Sequence, residues 1–93
     1  YEVVCIDSLK FGKNAISKFI KNKKYKFFKL DTYNFNKVIK LIKNSKAVVD
    51  LSGIVGDPAC SINEKNTYLS NYLNTIKIID NLKKKDVERY IYI

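Results

Sequence analysis

Histidine, methionine and tryptophan are missing from this chain; glycine appears three times, cysteine twice and proline once. Each scarcity removes a class of chemistry. Without histidine, and with Cys5 and Cys60 at no ligand spacing, there is little from which to build a zinc centre, so no metal site is expected. Two lone cysteines read as packed thiols of a reducing compartment, so a cytoplasmic location is expected and a disulfide is not. No apolar run reaches the roughly 18 residues of a membrane span, and no charged-then-apolar leader opens the chain. Arginine is nearly absent as well. Arg89 is the only one among 18 basic residues, which against nine acidic ones leave a net charge of +9. Such a balance raises the question of nucleic acid, but bidentate contacts to bases and phosphates favour arginine, and the lysines are spread along the chain. No nucleic-acid partner is expected. The run Lys83-Lys84-Lys85 reads as a solvated cap at a helix end, where cations favour the macrodipole.

What is present is an alternation. Val3, Val4 and Ile6 within residues 1–6 read as a short buried strand. Ala15, Ile16, Phe19 and Ile20 recur at helical spacing and predict an amphipathic helix over 14–22. A strand over 25–30 follows, then a helix over 36–43 carrying Val38, Ile39, Leu41 and Ile42, then a strand over 47–51. A long helix is predicted over 64–84, with Leu69, Leu73, Ile76, Ile79 and Leu82 on one stripe, and a last strand over 87–93. The order β-α-β-α-β-α-β, without repeat or linker, argues a parallel sheet covered by helices. Ninety-three residues make one small domain at most. An opening at Tyr1 and an end inside the apolar run Tyr90-Ile91-Tyr92-Ile93 are expected for an internal piece of a longer protein.

Acidic and small residues fall at the strand ends. Asp7 and Asp31 each stand just past a strand, and Asp50-Leu51-Ser52-Gly53 closes the third before the loop Ile54-Val55-Gly56-Asp57-Pro58-Ala59-Cys60. In a parallel sheet these ends share one edge, the edge at which open α/β sheets bind ligands. A single aspartate there is as readily a turn or helix-capping residue. Two of them with a small-residue turn offer acceptors for ribose hydroxyls and an adenine amine, and leave room for a flat ring.

Five runs, taken in order, carry a resemblance: Asp7-Ser8-Leu9 with Gly12, Asp31-Thr32, Asp50-Leu51-Ser52-Gly53, Asn71-Tyr72-Leu73-Asn74-Thr75, and Val87-Glu88-Arg89-Tyr90-Ile91-Tyr92-Ile93. The series resembles the extended short-chain dehydrogenase/reductase family, the NAD-dependent epimerases and dehydratases that act largely on nucleotide sugars. There the runs read Asp-Asn-Leu-x-x-Gly, Asp-Ile or Asp-Leu, His-Leu-Ala-Ala or His-Phe-Ala-Gly, Asn-Val-x-Gly-Thr, and Val-Lys-Arg-Phe-Val-Tyr-x. The loop over 54–60 is like that of one subgroup. The resemblance implies an α/β fold, a partial doubly wound parallel sheet of the Rossmann kind. Residues 1–93 would be one partial NAD-binding domain holding the second to fifth strands and lacking the first β-α unit. It implies NAD as cofactor, bound by Asp7, Ser8, Leu9, Asp31, Thr32, Leu51, Ser52 and Gly53. Asp7 would accept from the ribose hydroxyls and repel a 2′-phosphate, although Lys10 nearby leaves NAD against NADP open. Asn71 would be a supporting residue of the active site.

The chain departs from the pattern at Asp50 for the usual His, Ser52 for the first Ala, and Asn74 for Gly. None of these removes a charge the cofactor needs, though Asn74 bears on how closely helix and strand approach. Gly12, Gly53 and Gly56 form no Gly-rich pyrophosphate turn, so that turn is expected upstream of Tyr1, and the family's catalytic Tyr-x-x-x-Lys beyond Ile93. Two local matches, Tyr25…Lys29 and Tyr33…Lys37, read as chance: the first lies on a strand, where four residues span about 13 Å, and the second precedes the strand over 47–51. Without the first strand, central in the order 3-2-1-4, two separate strand pairs with open edges are expected. The implied function is an NAD-dependent oxidoreductase of the epimerase/dehydratase type, acting on a nucleotide-sugar-like small molecule. Family members are commonly dimers, so a homodimer of the full-length protein, in part through the helix over 64–84, is the expected assembly. The competing reading is a non-catalytic nucleotide-binding or regulatory module of the same fold.

Overall fold

A computed structural model of the chain describes residues 1–53, 64–83 and 86–93, and the loop over 54–60 with Cys60 lies outside them. The elements are β1 (Val3–Asp7), β2 (Tyr25–Lys29), α1 (Phe35–Ile42), β3 (Ser45–Asp50), α2 (Glu64–Tyr68), a π-helical turn (Leu69–Leu73), α3 (Asn74–Asn81) and β4 (Val87–Tyr92). The strands pair as two two-stranded sheets, β1 with β2 and β3 with β4. Both pairs are parallel. This is the α/β architecture expected, with a partial sheet, and the chain divides into two compact units, Tyr1–Asp31 and Thr32–Ile93.

In the first unit β1 and β2 run in register from Val3 opposite Tyr25 to Asp7 opposite Lys29. Val3 and Val4, expected to be buried, are exposed at 49% and 42%, because a sheet of two strands leaves most of each face uncovered. The helix expected over 14–22 does not form. Successive turns replace it, with Ile16 and Ser17 amides donating to the Lys13 carbonyl and those of Phe19 and Asn22 to Ile16 and Phe19. A helix this short holds only when its apolar stripe is covered, and Phe19 and Ile20 stand exposed.

The second unit is built on α1 packed against α3. Val38, Ile39 and Ile42 of α1 meet a core to which α3 contributes Ile78, at 2% exposure the most buried apolar residue among those described. After α1, Asn44 takes the left-handed conformation (φ 66°), a region asparagine tolerates, and its amide donates to the Asp86 carbonyl at 2.7 Å, so the chain enters β3. The stripe expected on the long helix is displaced: Ile76 and Ile79 are exposed, and the inward positions are Asn74, Thr75 and Ile78. The π turn explains it. The π segment Leu69–Leu73 winds more widely than 3.6 residues per turn, so a constant count carried through it falls one to two positions early, on Leu73 and Ile76 where Asn74 and Ile78 face inward. The helix also ends earlier than expected, at Asn81, with Leu82 extended. Lys83 therefore follows the helix rather than capping it, its amide donating to the Asp86 carboxylate at 2.8 Å, while Lys84 and Lys85 lie outside the described residues.

Candidate functional site

In the first unit the carboxyl ends of β1 and β2 lie side by side, as parallel pairing requires. Asp7 is the last residue of β1, and its carbonyl accepts from the Leu30 amide at 3.1 Å, which ties the two tips together just ahead of Asp31. Asp7 Oδ1 accepts the Leu9 amide at 2.7 Å, and the Leu9 carbonyl accepts from the Gly12 amide at 3.0 Å. Between these bonds Leu9 is held at φ 58° and Gly12 at φ 89°. Side-chain capping of this kind is how a short aspartate stabilises a turn just after a strand. It fixes one carboxylate oxygen and leaves Oδ2 with no hydrogen bond among the described residues, on an exposed side chain. Ser8 and Leu9 are half-buried, and the Leu9 amide is spent on Asp7. Behind this tip, a hydrogen bond with the Cys5 thiol pushes the Tyr25 hydroxyl up to about 12, helped by desolvation and by the negative charge of Asp7.

In the second unit Thr32 stands at the start and Leu51, Ser52 and Gly53 follow β3. Asn74, buried at 5% exposure, donates from Nδ2 to the Thr32 hydroxyl at 3.2 Å. The residue that replaces the family's usual glycine is thus accommodated inside, and it holds one of the residues assigned to the cofactor.

The tip of β3 is organised by Asp50. Its carboxylate is buried and accepts four hydrogen bonds: the Ser52 amide (3.0 Å) and hydroxyl (2.6 Å) on Oδ1, the Thr75 hydroxyl (3.2 Å) and the Tyr90 hydroxyl (2.5 Å) on Oδ2. Burial alone would push this carboxyl up; the bonds from the Ser52 hydroxyl, Tyr90, the Ser52 amide and Thr75 outweigh it and hold the group below its ordinary value. The Tyr90 hydroxyl is driven the other way, by its own burial and then by the Asp50 carboxylate that needs its proton. Two positions along β4, the Tyr92 hydroxyl donates to the Asn71 carbonyl at 2.7 Å, in the π turn. Asn71 also approaches the β3 tip. A Cβ placed on Gly53 would lie 3.1 Å from Asn71 Oδ1, so the glycine is what allows the amide so near.

Within the first unit, then, Asp7, Ser8, Leu9 and Asp31 gather at one sheet edge; within the second, Ser52 and Gly53 gather with Asn71, and Thr32 with Asn74. Sequence reasoning missed the supports: Asn74 on Thr32, Tyr92 on Asn71, and Thr75 and Tyr90 on Asp50. One signal was present. Tyr90 and Tyr92 alternate along a strand, so both hydroxyls emerge on one face. Among the described residues no helix is long and apolar enough to cross a membrane.

Comparison with known proteins agrees with the α/β fold. The profile of the NAD dependent epimerase/dehydratase family matches residues 1–93. Among solved structures, the chain is similar to the UDP-Glc/GlcNAc 4-epimerase from the human pathogen Campylobacter jejuni, with a TM-score of 0.78 and 26% identity. The match covers 98% of this chain and 29% of that one, so the chain spans under a third of that epimerase. No curated protein sequence matches.

Proposed function

Because the chain belongs to the NAD-dependent epimerase/dehydratase family, we propose that the full-length protein is an NAD-dependent oxidoreductase acting on a nucleotide sugar, with residues 1–93 as part of its cofactor-binding domain. The cofactor supplies the hydride chemistry when bound; the protein's share is to hold and orient it. Asp7 accepts the two ribose hydroxyls through Oδ2, while Oδ1 stays with the Leu9 amide. Ser8 and Leu9 shape that turn, Asp31 and Thr32 meet the adenine, and the Leu51-Ser52-Gly53 backbone borders the ring. Asn71 supports the reaction centre, which lies outside these 93 residues. The named neighbour, a UDP-Glc/GlcNAc 4-epimerase, supports a nucleotide-sugar substrate. A homodimer and a cytoplasmic setting accompany this reading, the latter supported by Cys5 as a free thiol.

The observation that carries the proposal is the Asp7 carboxylate at a strand tip: one oxygen is fixed by its own turn, and the other has no hydrogen bond among the described residues. It fits a diol, which presents two donors to one acceptor group. Replacing Asp7 by Ala in the full-length protein is expected to weaken NAD binding at least about tenfold, the scale of lost hydrogen bonds to a charged group. Isothermal titration with NAD reads this, and an unchanged affinity removes the assignment.

A further inference from the structure

We infer that Asp50 is a positioning residue for the cofactor: its buried carboxylate sets the backbone direction of Leu51-Ser52-Gly53 and thereby the affinity for the adenosine half of the dinucleotide. This rests on the cofactor reading above. Four donors fill both carboxylate oxygens, about as many as a carboxylate has lone-pair sites, so Asp50 is closed to substrate and to proton transfer. The bonds divide by purpose. Those on Oδ2 come from α3 through Thr75 and from β4 through Tyr90, and they orient the carboxylate. Those on Oδ1 come from Ser52, and they pass that orientation to the loop. A buried charge adds little stability over an apolar side chain of similar size, whereas a fully satisfied one fixes direction. A consequence follows for Ser52. Its hydroxyl donates to Asp50 Oδ1 with the two oxygens 2.6 Å apart, so the tip offers a ligand its backbone and the bare Gly53, not a hydroxyl donor. Asp50 and Ser52, two of the three positions at which the chain departs from the family pattern, thus meet in one hydrogen-bonded group.

The test uses the full-length protein, titrated with NAD and with ADP-ribose well below each variant's melting temperature. Tyr90→Phe and Thr75→Val each remove one donor from Oδ2 without touching the loop, and each is expected to raise both dissociation constants about threefold, a small angular error at a contact surface. Asp50→Ala is expected to raise them about tenfold, and Asp50→Asn, which keeps an oxygen for the Ser52 amide, to recover most of that loss. A residue serving stability alone would lower the melting temperature and leave the constants of the folded protein unmoved. If wild type binds NAD while Tyr90→Phe and Thr75→Val bind it equally well, or if Asn restores nothing, the positioning role is overturned and the cofactor reading stands. If wild type binds neither ligand, both fall. Should the Asp50 variants fail to fold, the Oδ2 pair decides alone.

Discussion

At the scale of single residues, the same substitution meets a different obstacle at each of two glycines. Gly12 has nothing within 4 Å of where a Cβ would sit, yet its φ of 89° is a conformation that L side chains avoid. Gly12→Ala is therefore expected to cost about 1 kcal/mol of stability through the backbone alone. At Gly53 the limit is space: the new methyl meets Asn71 Oδ1 at 3.1 Å and Cγ at 3.3 Å, and the amide, the far end of a side chain, has to give way. Gly53→Ala is expected to cost under about 1 kcal/mol but to displace Asn71. Denaturant midpoints of the two full-length variants read the first effect, and a crystal structure of Gly53→Ala the second. The acidic residues at the strand ends were legible from position in the sequence, since a turn after an apolar run marks a tip whatever the tertiary structure. The partners of Asp50 were not. Thr75 and Tyr90 stand 25 and 40 residues away, and hydrogen bonds at that separation exist only once strand and helix are packed.

At the scale of elements, the strands were legible to within a residue or two because apolar runs bounded by polar turns have few alternatives. Helices fared less evenly, for two physical reasons. Over 14–22 the periodicity was real but found no surface to cover. Along the long helix the stripe was counted at a constant 3.6 residues through a segment that winds more widely. This second point is testable. Ile78, at 2% exposure, is expected to cost about 3 kcal/mol when truncated to Ala, whereas Ile76→Ala, at 39% exposure, should cost well under half as much. Chemical denaturation of the full-length protein distinguishes them; equal losses would mean the π turn does not shift the buried face. The Asp50 group makes a second prediction at this scale, because it joins β3, β4 and α3. Its carboxyl lies below the ordinary range in the folded protein. The folded state thus binds that proton less readily than the unfolded chain, and the stability it contributes is complete above about pH 4 and drains as pH falls through the folded value. Thermal melts of wild type and Asp50→Asn between neutral and acid pH are expected to show a steeper acid decline in wild type. Parallel slopes would remove the linkage.

For the molecule as a whole, the alternation of strand and helix was enough to indicate a parallel α/β fold, and the expected division into two strand pairs is what the sheets show. The same arrangement predicts how the 93 residues behave alone. Among the described residues the buried apolar side chains are Val38, Ile39, Ile42 and Ile78, all within the second unit. Against that small core, Val3, Val4, Phe11, Phe19, Ile20 and Phe28 of the first unit are exposed. Two strands with little apolar cover are marginal in water, and each sheet presents unpaired edges to any neighbouring chain. Fixing the backbone of each residue costs about 1–2 kcal/mol, an entropy that only extensive burial offsets. The isolated chain is therefore expected to unfold over a broad temperature range, to bind a hydrophobic dye before heating, and to associate as concentration rises. Calorimetry with light scattering tests this on the purified 93-mer. A sharp two-state transition, independent of concentration, would show that these residues reach a cooperative core unaided, and the reading of two under-covered strand pairs would have to be given up.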